Sequence, residues 1–143
     1  MKIALASDHG GFELKEKVKA HLQKLGIESV DLGCNSGESV DYPDYGKSCG
    51  ESVMSGDAER GIVICGTGIG ISIAANKVKG IRCALCTNLF MAEMSRKHND
   101  ANILALGGRV LDANLAIAIV DTWLFTEFEG DRHRRRVEML DRI

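Results

Sequence analysis

Apolar positions along the chain come in two alternating patterns: short unbroken runs, and longer stretches in which they recur at helical period. Lys2–Ser7 reads as a first buried strand. From Phe12 to Leu25 the apolar residues Phe12, Leu14, Val18, Leu22 and Leu25 mark an amphipathic helix, with Gly26 just past its end. Glu28–Leu32 predicts a second strand. Residues 33–44 hold glycine, asparagine, serine and the single proline, Pro43, and predict a long loop before a weaker helix from Tyr45 to Met54. Gly61–Cys65 is a β-branched run without alternation, as expected of a central parallel strand. The glycine loop 66–70 then leads into a helix through Lys77. Strand Ile81–Cys86, helix Leu89–Lys97 and strand Asn102–Leu106 follow, the last closed by Gly107-Gly108. Asp112 is placed to cap an apolar helix through Phe125, and a basic helix covers Arg132–Leu140.

Strand alternating with helix at this spacing predicts an α/β fold. The expected form is a three-layer, doubly wound sheet of about five parallel strands, Rossmann-like or flavodoxin-like. Ligands of such folds bind beyond the carboxyl ends of the strands. That directs attention to residues 8–11, 65–70 and 107–109.

Composition narrows the function classes. With 143 residues, 45% apolar and 27% charged, the chain is expected to be one globular domain over residues 1–143 rather than disordered. Eighteen basic against 20 acidic residues give a net charge of −2, which argues against nucleic acid as a partner. No apolar run approaches the ~20 residues of a membrane span, and the first eight residues are too polar for a signal peptide. Five cysteines, an odd number, fit reduced thiols in a cytoplasmic protein. Cys83 and Cys86 form a C-x-x-C inside a strand, where residues three apart face opposite ways; core packing is expected there rather than redox or zinc chemistry.

Four constellations carry chemistry. In Cys65-Gly66-Thr67-Gly68-Ile69-Gly70, alternate glycines bring N–H groups close to an anion, the next helix adds its positive end, and the thiol is expected to be nucleophilic or basic. The spacing fits neither the dinucleotide fingerprint nor the P-loop. Asp8-His9-Gly10-Gly11 suits hydroxyl or phosphate contacts, although Asp8 can equally be a helix cap. His98, in Arg96–Asn102, closes a helix, whose C-terminus favours the charged form of an imidazole. Arg132 and Arg136 stand one helical turn apart and can clamp a phosphate, whereas Arg134 and Arg135 point elsewhere. His21, among lysines, reads as a surface residue.

Together these segments resemble the ribose-5-phosphate isomerase B family, relatives of the galactose-6-phosphate isomerase subunits. The resemblance rests on Ser7–Gly11, Asp41–Tyr45, Cys65–Lys77, Gly80–Arg82, Arg96–Asp100 and Arg132–Val137, and covers nearly the whole chain. It implies reversible conversion of ribose 5-phosphate to ribulose 5-phosphate through an enediolate, with no metal and no cofactor. Cys65 would be the proton-transfer base. Thr67 and the loop from Gly66 through Gly68 and Ile69 to Gly70 would cradle the oxyanion. His98 would open the sugar ring, Asp8 would handle hydroxyl protons, and Asn99 would hold a hydroxyl. His9, Arg109, Arg132 and Arg136 would bind phosphate. A homodimer or dimer of dimers is implied, with His98, Asn99 and Arg109 supplied by the neighbour.

Two other readings compete. A hexose 6-phosphate, such as allose or galactose 6-phosphate, differs by one carbon, which changes discrimination by only ~1–3 kcal/mol. A non-catalytic nucleotide-binding module would want a carboxylate for ribose about 20 residues beyond the glycines, where Cys86-Thr87-Asn88-Leu89 stands.

Overall fold

A computed structural model describes residues 1–143. Its elements are β1 (Lys2–Ser7), a 3-10 turn (His9–Gly11), α1 (Phe12–Lys24), β2 (Glu28–Asp31), α2 (Tyr42–Met54), β3 (Arg60–Cys65) and α3 (Ile69–Asn76). There follow β4 (Cys83–Leu85), α4 (Leu89–Lys97), β5 (Ile103–Gly107), α5 (Ala113–Phe125) and α6 (Arg132–Asp141). All pairings are parallel, in the order β2-β1-β3-β5-β4. The expected doubly wound α/β fold is thus present. Its last two strands are interchanged relative to the flavodoxin order.

Strands β1, β3 and β5 are almost wholly buried because helices cover both faces. One face carries α1, α4 and α5, with Leu14, Val18, Leu22, Ala92, Ile119 and Trp123 meeting Leu5, Ile62 and Leu104. The other carries α2 and α3, with Cys49, Ile71 and Ala75 against Ala4, Val63 and Ala105. Burying each large aliphatic side chain contributes about 1.5–3 kcal/mol. The C-x-x-C divides as its spacing requires: Cys83 packs with the core on the α2 and α3 face, Cys86 with the core on the opposite face, beside Ser95 of α4. No helix is long and apolar enough to cross a membrane.

The sequence expectations need four corrections. Helix α2 begins at Tyr42, three residues early, because Pro43 sits in its first turn, where a missing N–H costs no helical bond. Edge strand β4 is shorter than expected, since the N–H groups of Arg82 and Cys83 are taken by the side-chain carbonyls of Asn102 (2.7 Å) and Asn76 (2.8 Å). Asp112 precedes α5 but makes no side-chain cap. His21 is not a free surface residue: its Nε2 lies 2.6 Å from Oδ1 of Asp121, tying α1 to α5.

Candidate active site

Three glycine-bearing loops meet beyond the carboxyl ends of β1, β3 and β5. They approach more closely than side chains allow. A Cβ on Gly10 would stand 2.9 Å from the nitrogen of Gly66, and one on Gly107 would stand 2.6 Å from the carbonyl oxygen of Thr67. Strand order reverses between β1 and β3, so the crevice between these loops is where such a fold places a ligand.

Cys65 ends β3 in this crevice and is only 5% exposed. Its Sγ accepts a hydrogen bond from the N–H of Gly68 at 3.2 Å, at the start of α3, where the partial positive charge of the helix faces the sulfur. The first-turn N–H groups of α3 lack helical acceptors and can serve an oxyanion. Thr67 is exposed; its Oγ1 accepts from the N–H of Ile69 at 3.2 Å. Burial pushes Cys49 up to about 12 and Cys86 up to about 11, so both stay protonated.

Asp8 fulfils the capping reading and leaves room for the other. Its Oδ1 accepts from the N–H of Gly11 at 3.2 Å, while Oδ2 has no partner in the chain. His9 accepts the N–H of Val40 on Nδ1 at 3.2 Å, which puts the proton of its neutral ring on Nε2. Arg109 lies over the glycine loop: its Nη1 is 3.2 Å from where a Cβ on Gly66 would stand. Arg109 thus reaches the loop of its own chain, where the expectation was of an Arg109 supplied by a neighbouring subunit.

His98, Asn99, Arg132 and Arg136 form a second group elsewhere. Helix α4 starts beyond the carboxyl end of β4 and returns the chain to the amino end of β5, a run of about 13 Å at 1.5 Å per residue. His98, its C-cap, is therefore at the opposite edge of the sheet from Cys65. Arg132 and Arg136 are exposed on α6, beside the buried His133 and Val137. His133 stacks on His98 with ring centroids 4.2 Å apart and planes 12° from parallel. The structure thus brings Asp8, His9, the 65–70 loop and Arg109 together, brings His98 and the α6 arginines together, and does not join the two groups within one chain.

Sequence reasoning missed Glu129 and His133 behind His98, and Tyr42. The ring of Tyr42 lies against Gly70, where a Cβ would be 2.6 Å from its Cε1. For His133 and Tyr42 the available signal was their place inside the Arg132–Val137 and Asp41–Tyr45 strings. One group of possible metal ligands is present, His98, Glu129 and His133, whose ligand atoms lie within 4.8 Å of one another. Ring-nitrogen lone pairs lie in the ring planes, however, and nearly parallel planes do not converge on one ion as a zinc site requires.

Residues 3–140 match the family model described as Ribose/Galactose Isomerase. The chain belongs to that family. This makes it an aldose–ketose isomerase by class. It is 49% identical to ribose-5-phosphate isomerase B of Escherichia coli (strain K12) over 142 residues, covering 99% of this chain and 95% of that one. Among solved structures it is similar to ribose-5-phosphate isomerase B of Clostridium thermocellum, with 60% identity, a TM-score of 0.98, and coverage of 99% and 96%. It is also similar to the Mycoplasma genitalium ribose-5-phosphate isomerase B solved with bound ribulose-5-phosphate, with 41% identity, a TM-score of 0.94, and coverage of 99% and 94%.

Proposed function

We propose that this isomerase interconverts D-ribose 5-phosphate and D-ribulose 5-phosphate through a cis-enediolate, in sites completed by a second copy of the chain. The observation that carries this reading is Cys65: a sulfur in the crevice, facing the Gly68 N–H at the start of α3. The five-carbon substrate is favoured by the Escherichia coli relative and by the ribulose-5-phosphate bound to the Mycoplasma relative.

The chemistry needs one base, one oxyanion cradle and a way to open the ring. His98 gives a proton to the ring oxygen as the C1–O4 bond breaks, and Asp8 takes the O1 proton to leave a carbonyl at C1. The Cys65 thiolate then removes the C2 proton, and the electron pair moves onto O1 to form the enediolate. Thr67 and the loop N–H groups from Gly66 to Gly70 hold that charge. Asp8 returns its proton to O1 and takes that of O2, and delivery of the C2-derived proton from Cys65 to C1, with O2 becoming the ketone oxygen, completes the conversion. Neither a metal nor a redox cofactor is required for this balance. His9, Arg109, Arg132 and Arg136 bind the phosphate, and Asn99 a hydroxyl.

The separation of His98 from Cys65 supports the second copy. So does an apolar surface beside the loop: Ile73 (55% exposed) on α3, Phe90 (69% exposed) on α4, and Val110 next to Arg109. A two-fold partner covering this surface would bring its own His98, Asn99, Arg132 and Arg136 to the crevice, and both sites would form at once. Cys65→Ala tests the chemistry. Conversion of ribose 5-phosphate should vanish while the substrate still raises the melting temperature; near-normal turnover would contradict the assignment.

A further inference from the structure

Behind His98 stands a side chain that this reaction leaves unused. His133, in the first turn of α6, is 5% exposed and presents its ring face-on to His98. Its Nε2 is buried with no hydrogen-bond partner. On the outer edge of His98, Oε1 of Glu129 lies 3.5 Å from Nε2, and the N–H of Glu129 donates to the carbonyl of Lys97 at 3.1 Å. The far end of α6 is fastened to the same turn. Asp141 pairs with Arg82 Nη1 at 2.8 Å, and Nε of Arg82 donates to the carbonyl of Asn99 at 3.1 Å. Arg96 pairs with Asp100 at 2.9 Å from below. The turn that carries His98 and the helix that carries Arg132 and Arg136 are thus locked at both ends.

A histidine ring rotates freely about its last torsion unless something backs it. Nitrogen donors act in the ring plane, so the plane of His98 decides whether its proton reaches the sugar ring oxygen. We propose that His133 is a positioning residue for ring opening: its buried ring is the flat backing that fixes the plane of His98, with Glu129 facing the outer edge. The role rests on the reading of His98 as the ring-opening acid. The charges around His133 suit it to be an uncharged backing. Burial first, then His98, Arg132 and Arg136, lower its pKa against the opposing pull of Glu129. His133 touches no reacting atom, so proton transfer at carbon should not depend on it.

Ribulose 5-phosphate separates the two steps. With its O5 esterified it cannot close a furanose ring, so exchange of its C1 hydrogen in deuterated water needs Cys65 but no ring opening. We expect His133→Ala to lower kcat for ribose 5-phosphate by roughly tenfold to a hundredfold, the cost of misplacing a catalytic group by about 1 Å. The same variant should keep C1 exchange within about twofold of wild type. His133→Phe restores a flat ring and should recover most of the conversion. Three results would overturn the proposal: His133→Ala converting at the wild-type rate, both readouts falling together in both variants, or His133→Phe failing like His133→Ala while exchange survives. Wild-type protein showing neither exchange nor conversion would instead overturn the ribose 5-phosphate reading on which the role rests.

Discussion

Asp31→Asn removes one charge where β2 gives way to the loop that reaches His9. Asp31 accepts the Nζ of Lys15 on both oxygens (2.8 and 2.7 Å), the Nζ of Lys19 at 3.0 Å and the N–H of Gly33 at 2.9 Å. The Lys15 side chain is fully buried, and in the variant its only remaining carboxylate is that of the half-exposed Glu16 at 3.1 Å. Removing one partner of a buried pair costs about 3–5 kcal/mol, and the surviving Glu16 contact argues for the lower end. An unfolding entropy of about 2.1 cal/mol/K per residue gives about 0.3 kcal/mol/K for this chain, so a loss of about 3 kcal/mol lowers Tm by roughly 10 °C. Burial pushes the Asp31 carboxyl up, but its hydrogen bonds from Lys15, Gly33 and Lys19 outweigh this and hold it below the ordinary 3.8. Its contribution is therefore full above pH 3.8 and is lost as pH falls through the lower folded value. Asparagine does not titrate, so the Tm gap between wild type and variant should be full at neutral pH and narrow under acid. Thermal unfolding followed by circular dichroism from neutral to acid pH measures both. No gap at neutral pH, or one that does not narrow in acid, would refute the reasoning.

Arg136→Ala should raise KM and lower kcat/KM by roughly tenfold to a hundredfold, the value of one charge-assisted phosphate contact. Arg135→Ala should change it little; it is a better control than Arg134, whose guanidinium packs 5.6 Å over the Phe128 ring. Equal effects at Arg135 and Arg136 in steady-state kinetics would mean that the run acts only as a diffuse positive field. Exhaustive dialysis against a strong chelator should leave the rate unchanged, because the parallel rings of His98 and His133 do not converge on an ion. A loss restored by one divalent ion would contradict this.

The sheet was legible because buried parallel strands leave unbroken apolar runs, as Gly61–Cys65 does. Pro43 concealed the start of α2, since proline signals a loop in general yet is harmless in a helix's first turn. The edge strand β4 was overread because side-chain amides, invisible to periodicity, replace its first ladder bonds. Within the candidate site, Cys65 and its loop stood out from glycine spacing alone. The stack of His133 on His98 did not, because it joins residues 35 positions apart across α4 and α6. That α4 takes His98 away from Cys65 was already implicit in a helix crossing between two parallel strands, and the pairing of β4 with β5 bears it out.

A site shared between copies predicts complementation. Cys65→Ala and His98→Ala should each be inactive alone, and co-refolding them in equal amounts should restore about one quarter of wild-type turnover, because half of randomly paired dimers are hybrids and each hybrid holds one intact site of two. Mixed dimers that form yet stay as inactive as either parent would contradict the shared site.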